Sequence, residues 1–264
     1  MSKQTSNTLL GGGRSSRFTG RTLRELKVIA YARNGHTDKF GIPRQSREES
    51  PILTRIVFEP EYRIPEALRG IERYSHLWLL WGFSEQHKTS TKPADDKEES
   101  TIGWSPTVRP PRLGGNKRMG VFATRSPFRP NPIGLSSVRL VGMEDGDLIV
   151  SGADVLDGTP IYDIKPYLSF SDSHPEAHNG FAEETKDMRL KVEMIAQEVL
   201  NDGNGDASLD DEILRDLEYI LSQDPRPGYQ DDPAREYKLD YAGYNVTFLV
   251  SEGKVVVKKI EQID

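Results

Sequence analysis

The chain has 264 residues, with 35 Lys and Arg against 41 Asp and Glu, and a formal net charge of −6 at pH 7. It contains no cysteine, which excludes structural disulfides, thiolate metal sites and a cysteine nucleophile. The acidic balance argues against indiscriminate nucleic-acid binding, and the longest apolar run, Leu77 to Phe83, is far shorter than a membrane span.

The N-terminal segment is rich in Ser, Gly and Arg and contains no acidic residue. This composition is similar to that of an organellar transit peptide, but Gly11-Gly12-Gly13 would interrupt the amphipathic helix that such a peptide requires. We therefore expect residues 1–23 to be a disordered tail. We expect a cytoplasmic protein and leave organellar import by the tail open.

Apolar and β-branched residues predict strands at Glu25–Arg33, Ile52–Phe58 and Ser75–Phe83. Between the first two strands, Pro43-Arg44-Gln45 offers groups that can hydrogen-bond a small molecule. Pro65 to Gly70 is expected to form a short helical turn, because proline suits the first helical position. Residues 85–100 are rich in Lys, Asp, Glu, Ser and Thr and are expected to be a flexible insertion.

The chain contains no Asp or Glu from Thr101 to Met143. This basic window holds seven cations: Arg109, Arg112, Lys117, Arg118, Arg125, Arg129 and Arg139. A basic segment on an acidic protein indicates a phosphate-bearing partner held at one place. The alternative is a block of solvated charges without a partner.

Within this window, Met119–Thr124 is predicted as a strand that leads into a proline-rich segment. We call Gly120–Gly134 the Arg125 loop. Its three prolines fix φ and remove N–H donors, so the loop is expected to be stiff. Arg125 and Arg129, four residues apart in an extended segment, can face one ligand, and guanidinium groups suit carboxylate or phosphate. The alternative is a connector with solvated arginines.

Two turns are expected after the Arg125 loop. Strands at Leu135–Met143 and Leu148–Asp154 flank an Asp145-Gly146 pair, which predicts a hairpin. Asp157–Pro160 then predicts a tight turn that offers a carboxylate, backbone N–H groups and a hydroxyl. As a bare turn it would have no functional meaning.

The last part of the chain is expected to be a small α+β unit after a polar linker at 171–184. Alternating apolar residues from Met188 to Met194 predict a strand, and Ser208–Asp211 is predicted as a capping box that opens a helix. A three-stranded meander is expected to follow, at Tyr237–Ala242, Tyr244–Ser251 and Lys254–Ile260. The fold class is therefore mainly β, with this unit at its end.

Common catalytic motifs are missing from the sequence. It contains no Rossmann glycine fingerprint, no P-loop, no G-x-S-x-G elbow and no H-E-x-x-H, and its histidines show no metal-ligand spacing. Stiff loops at strand ends beside a basic window instead predict a pocket for a polar small molecule. This combination suggests group transfer to a nucleic acid, or recognition of one.

Three long segments, Thr107–Asn116, Met119–Gly134 and Asp157–Tyr167, closely resemble the TrmO family. Shorter segments match it in the same order: Lys39–Gln45, Ser75–Trp78 and Asp224–Pro227. The resemblance runs from Leu26 to the C-terminus. It implies an S-adenosylmethionine-dependent methyltransferase that methylates N6 of threonylcarbamoyladenosine at tRNA position 37. It also implies a β-barrel catalytic domain over residues 24–175, a small α+β domain over 185–264, and a homodimer with the cofactor near the subunit contact. Because the methyl group of a sulfonium is already activated, we expect no metal, and the short apolar runs predict no contact with a membrane.

The resemblance assigns roles by position. It implies the cofactor-binding residues Pro43, Arg44, Gln45, Ser84, Arg125, Leu135, Asp157, Gly158, Thr159 and Pro160, of which Ser84 stands where the family pattern has a histidine. It implies the tRNA-binding residues Arg109, Arg112, Arg129 and Arg226. Candidates for the catalytic base are Asp157, Asp154 and His76, with water as a fourth acceptor. The alternative interpretation of His76 is a hydrogen-bonded core residue.

Two other classes of function are considered. One is a non-catalytic RNA-binding or regulatory module that retains a cofactor pocket. The other is a small-ligand-binding barrel, which predicts no salt-dependent affinity for tRNA.

Overall fold

The computed structural model describes residues 25–43, 45–47, 49–83, 104–110, 117–185, 189–194, 209–226 and 232–263. The expected tail at 1–23, the expected insertion at 85–100 and the site positions Arg44, Ser84 and Arg112 lie outside the described residues.

The strands and helices follow the order expected for a barrel and a smaller α+β unit. The strands are β1 (Ala30–Arg33), β2 (Leu53–Phe58), β3 (His76–Gly82), β4 (Thr107–Val108), β5 (Met119–Gly120), β6 (Ile133–Glu144), β7 (Asp147–Ser151), β8 (Pro160–Pro166), β9 (Lys191–Met194), β10 (Tyr237–Tyr241), β11 (Tyr244–Ser251) and β12 (Lys254–Gln262). The α-helices are α1 (Pro65–Leu68), α2 (Ser169–Asp172) and α3 (Asp211–Ser222). Within the described residues, no helix is long and apolar enough to cross a membrane.

Six strands close into an antiparallel barrel in the order β1-β2-β7-β6-β3-β8. Successive residues of a strand point to opposite faces, so alternate residues fill the interior. In β3, Leu77, Leu79 and Trp81 point inward and are 0%, 0% and 7% exposed. The expected mainly β fold with an N-terminal β-barrel is therefore confirmed.

The β6–β7 hairpin forms as predicted. Asp145 and Gly146 have φ values of 50° and 81°, which is the left-handed geometry that an Asp-Gly hairpin turn requires. The carboxylate of Asp147, whose side chain is 3% exposed, accepts hydrogen bonds from Arg55 Nε at 3.1 Å and Phe58 N at 3.1 Å. These bonds tie the hairpin to β2.

Four strand predictions were too long. β7 ends at Ser151 rather than Asp154, and β9 begins at Lys191 rather than Met188. β1 begins at Ala30 rather than Glu25. The strand predicted over Met119–Thr124 covers only β5, after which Val121–Ala123 forms a 3-10 helix. The physical reason is that β5 pairs only with β4, which has two residues and lies between two prolines that cannot donate to a ladder.

The C-terminal unit is a four-stranded sheet in the order β10-β11-β12-β9, with β9 parallel to β12 and the other pairs antiparallel. Helix α3 buries Leu217, Ile220 and Leu221 against this sheet. Its N-cap is Asp210, whose side chain accepts a hydrogen bond from Glu212 N. The prediction of a cap at Ser208 was therefore wrong, because the helix begins two residues later than expected.

The connection between β1 and β2 joins the barrel to the C-terminal unit. His36, in this connection, is 1% exposed, packs edge-on against the ring of Tyr241, and its Nε2 has no hydrogen-bond partner among the described residues. Burial lowers the pKa of His36 from 6.5 to about 4.

This buried histidine predicts an acid-sensitive fold. A histidine whose pKa is lowered on folding contributes stability above its unfolded pKa, and that contribution is lost as pH falls toward the folded pKa. Between pH 7 and pH 5, His36 should remove about 2 kcal/mol from the free energy of unfolding. Urea unfolding of the wild type and His36→Gln at both pH values measures this difference. Equal losses in both proteins would contradict the assignment.

Candidate active site

The Arg125 loop leads from β5 to β6 and is held by bonds to its own backbone. Thr124 Oγ1 accepts from Ser126 N at 3.2 Å, and Arg129 Nη1 donates to the Thr124 carbonyl at 3.2 Å. The guanidinium of Arg129 therefore contributes to the shape of the loop. Arg125 projects to the exposed side, where Nη1 donates to Gln45 Oε1 at 2.5 Å.

A buried carboxylate lies near this exposed pair. The indole Nε1 of Trp81 donates to Ser136 Oγ at 2.8 Å, and the Ser136 hydroxyl in turn donates to Asp154 Oδ1. The backbone N–H of Ser46 also bonds to Asp154. Burial raises the pKa of the Asp154 carboxyl, while the bond from Ser136 and the charge of Arg125 act in the opposite direction.

The structure thus brings five residues from separate parts of the sequence to one site: Gln45, Ser46, Arg125, Ser136 and Asp154. We call them the Arg125 cluster. A guanidinium has several N–H donors in a planar fork, and Gln45 accepts from one of them. This geometry suits the binding of a carboxylate or phosphate beside a buried carboxyl group.

The Asp157 turn forms as predicted, with Gly158 at φ 75°. Asn34 N donates to Asp157 Oδ1 at 3.1 Å, and Arg33 Nη1 lies 3.3 Å from Oδ2. Thr159 is 2% exposed, and Pro160 begins β8. The turn is therefore fixed to the end of β1, and both carboxylate oxygens of Asp157 already have partners.

Other expected site residues lie at different places. Pro43 is buried, and in the sequence it lies two residues before the cluster residue Gln45. Leu135 is 53% exposed on the outer face of β6, opposite to the inward Ser136. His76 pairs with Arg139 at the far end of β3, five residues from the Trp81–Gly134 pair, which is about 17 Å along the strand.

The expected tRNA-binding arginines differ in their surroundings. Arg109 is exposed next to β4. Arg226 donates to Asp224 through Nε at 2.8 Å and Nη2 at 3.0 Å, and its side chain is only 12% exposed. Arg226 is therefore already paired within the Asp224–Arg226 segment.

Sequence reasoning did not find Ser136, Ser46 or Trp81 as members or supports of the site. One signal was available for Ser136: the alternation of β6 places this serine inward beside Val138, where an apolar side chain is usual. Ser46 contributes a backbone N–H, so its side chain carried no signal.

The part of the chain that the structure describes contains no group of three or more His, Asp or Glu residues placed to hold a metal ion. The Arg125 cluster itself consists of a guanidinium, an amide, a hydroxyl, a carboxyl group and a backbone N–H.

Two family models match the chain. The tRNA-methyltransferase O N-terminal domain matches residues 31–173, and the TrmO C-terminal domain matches residues 186–263. Together they include the barrel, the Arg125 cluster and the C-terminal sheet.

Individual proteins of known sequence or structure are also similar to this chain over most of its length. The tRNA (adenine(37)-N6)-methyltransferase of Escherichia coli strain K12 is 36% identical over 243 residues, which cover 90% of this chain and 97% of that protein. A putative S-adenosylmethionine-dependent methyltransferase, RcsF, of Pseudomonas aeruginosa is 40% identical over 213 residues, covering 80% and 86%. The crystal structure of TrmO from Pseudomonas aeruginosa superposes with a TM-score of 0.68 at 30% identity, covering 91% of this chain and 99% of that one.

Proposed function

This chain belongs to the TrmO family, and on that premise we propose that it is an S-adenosylmethionine-dependent tRNA methyltransferase acting on N6 of adenosine 37. We further propose that the acceptor is N6-threonylcarbamoyladenosine. The catalytic domain would span residues 24–175 and the second domain residues 185–264.

The observation that carries the proposal is the contact at 2.5 Å between Gln45 and Arg125, which lies in a window without acidic residues. S-adenosylmethionine presents a carboxylate and tRNA presents phosphates, and a guanidinium on a stiff loop suits either anion. Arg125 lies beside Gln45, which supports a role in the cofactor site. Arg109, with its exposed side chain, supports a role on the tRNA side.

The reaction requires alignment more than activation of the methyl donor. When bound, S-adenosylmethionine would supply a methyl group on a sulfonium, which would become a neutral thioether as N6 takes the methyl group and gives its proton to a nearby base or to water. Holding donor and acceptor in line can supply several kcal/mol of barrier lowering. The chain's contribution is to orient both partners and to exclude water from the sulfonium.

The contacts of each candidate residue reduce the number of possible proton acceptors. Asp157 lies outside the Arg125 cluster, where Asn34 N and Arg33 hold it to the end of β1, and His76 lies at the far end of β3. Asp154 lies in the Arg125 cluster, and burial raises the pKa of its carboxyl group, which makes its carboxylate a stronger base. These observations favour Asp154 or water as the acceptor.

We also propose a homodimer. The outer face of β6 exposes Ile133 and Leu135 side by side, and farther along Val141, which are 37%, 53% and 45% exposed. Exposed large apolar residues on one face are typical of a protein interface, and Leu135 directly follows the Arg125 loop. Sedimentation equilibrium should give twice the 29.7 kDa mass of one chain, and the mass of one chain would contradict the proposal.

The function is tested with purified protein, S-adenosylmethionine carrying a labelled methyl group, and tRNA from a strain that lacks its own enzyme. Mass spectrometry of the nucleosides should then show label in methylated threonylcarbamoyladenosine. Tight tRNA binding without label would favour a non-catalytic RNA-binding module. Cofactor binding without any salt-dependent tRNA affinity would favour a small-ligand-binding barrel.

A further inference from the structure

Residues 34–43, which we call the arm, run from the end of β1 to Pro43, just before the cluster residues Gln45 and Ser46. The arm is fixed to the barrel at its start, because Asn34 Nδ2 donates to Thr54 Oγ1 at 3.2 Å and to the Val155 carbonyl at 3.1 Å. It then reaches the C-terminal unit, where Ala242 N donates to the Gly35 carbonyl at 2.8 Å.

The middle of the arm packs into the core of the C-terminal unit. The ring of Phe40 stacks on Tyr237 and on Phe248, with centroid distances of 6.3 Å in both cases and interplanar angles of 11° and 29°. Tyr237 and Phe248 also stack on each other at 5.6 Å. We call Phe40, Tyr237 and Phe248 the aromatic clamp.

The residue after Phe40 shows how closely the arm approaches the sheet. Gly41 is buried, and a Cβ at this position would lie 2.4 Å from Leu239 Cδ1. A side chain here would therefore require the buried Leu239 to shift, so the arm lies close against the Leu239 side chain of β10. Phe40 of the clamp lies three residues before Pro43 in the sequence, so the clamp holds the arm close to Gln45 and Ser46.

A second anchor lies after the cluster residues. Arg47 N donates to the Gly152 carbonyl at 3.2 Å, on the segment that leads to Asp154. Farther on, Ile52 is 2% exposed and belongs to the core of the C-terminal unit. Gln45 and Ser46 thus lie between two points, Phe40 and Ile52, that the C-terminal unit holds.

We infer that the aromatic clamp positions Gln45 and Ser46 for the cofactor, so that the C-terminal unit sets the affinity of the barrel site for S-adenosylmethionine. This inference rests on the proposed function. Phe40 is a positioning residue, since its ring contacts Tyr237 and Phe248 rather than the Arg125 cluster.

The physical basis is preorganisation. A loop ordered before binding does not have to lose conformational entropy when the ligand arrives. If removal of the clamp leaves the competent arrangement populated at about 10%, the apparent Kd rises about tenfold. We expect the KM for tRNA to change much less, because the exposed Arg109 follows β4 and is not part of the arm.

The experiment compares Phe40→Ala and Phe40→Leu with the wild-type full-length chain. Calorimetric titration with S-adenosylhomocysteine, the non-reactive product, gives the cofactor affinity without requiring methyl transfer. Phe40→Ala should weaken this binding about tenfold and raise the KM for S-adenosylmethionine, with the KM for tRNA within about twofold of the wild type. Phe40→Leu keeps apolar volume without the ring and should fall between the two proteins.

Val255→Ala is the matched control. Val255 is 0% exposed in the same core but lies on β12, where it pairs with Val250 and Val192 rather than with the arm. It should lower the Tm with an unchanged cofactor affinity. The inference would be overturned if Val255→Ala lost as much cofactor affinity as a Phe40 variant of similar Tm. It would also be overturned if neither Phe40 variant lost any cofactor affinity. If the wild type binds the cofactor but methylates no tRNA, the proposed function fails, and the titration still tests the clamp.

Discussion

Arg125→Ala is expected to lower kcat/KM for methyl transfer by about 100-fold or more, which corresponds to about 2.7 kcal/mol of transition-state stabilisation. A charge-assisted hydrogen bond to a carboxylate alone contributes about 1.5–3 kcal/mol. The variant also loses the bond to Gln45 and the positive charge that opposes the raised pKa of Asp154. Steady-state rates with tRNA and S-adenosylmethionine measure the effect.

The fold should survive this substitution, because Arg125 is exposed and its bond reaches the exposed residue Gln45. The Tm should therefore stay close to that of the wild type. Arg125→Lys keeps the charge but loses the planar fork, so it should recover only part of the activity. A wild-type rate in Arg125→Ala would remove Arg125 from the proposed site.

Arg118→Ala is the control for charge. It removes one cation from the same basic window, but Arg118 Nη1 donates to Thr107 Oγ1 on β4 rather than to Gln45. Loss of this cation from the basic window should weaken tRNA binding in a salt-dependent way and leave cofactor affinity unchanged. An equal loss of cofactor affinity in Arg118→Ala and Arg125→Ala would indicate a general effect of charge.

Local patterns were sufficient to predict much of the fold. The alternation in β3, the Asp145-Gly146 turn and the meander from Tyr237 each depend on neighbouring residues, so the sequence predicted them. The lengths of β1 and β5 depend on the strands that pair with them and could not be read from their own sequences.

The candidate site was predictable only in part, for a related reason. Arg125, Gln45 and the Asp157 turn lie in segments with unusual composition, and the resemblance to the TrmO family assigned them to one cofactor site. The Trp81–Ser136–Asp154 chain is different, because it joins residues 55 and 18 positions apart across the barrel. Such contacts depend on the register of β3 with β6, which no local pattern fixes.

This register makes Gly134, the last residue of the Arg125 loop, sensitive to substitution. Gly134 pairs with Trp81, and a Cβ at Gly134 would lie 2.2 Å from Cε2 and 2.3 Å from Cζ2 of the indole. The indole is 7% exposed in the barrel core and cannot move outward without losing its bond to Ser136. The side chain at 134 is therefore restricted to hydrogen by the packing of Trp81.

Gly134→Ala is expected to lower the free energy of unfolding by about 2–4 kcal/mol, the sum of overpacking and a lost hydrogen bond. This loss should lower the Tm by about 5–15 °C. Displacement of the indole also removes the donor that orients Ser136 toward Asp154, so activity should fall even at temperatures where the variant is folded. Thermal unfolding and steady-state kinetics at a temperature well below both Tm values measure the two effects separately.

Gly142→Ala is the matched control on the same strand. Nothing lies within 4 Å of a Cβ at Gly142, so the methyl group should be accommodated. Both substitutions add the same group to β6 and remove the same backbone freedom from the unfolded chain, and they differ in the contact with Trp81. If Gly134→Ala and Gly142→Ala had equal Tm values and equal rates, the chain from Trp81 through Ser136 to Asp154 would have no part in the site.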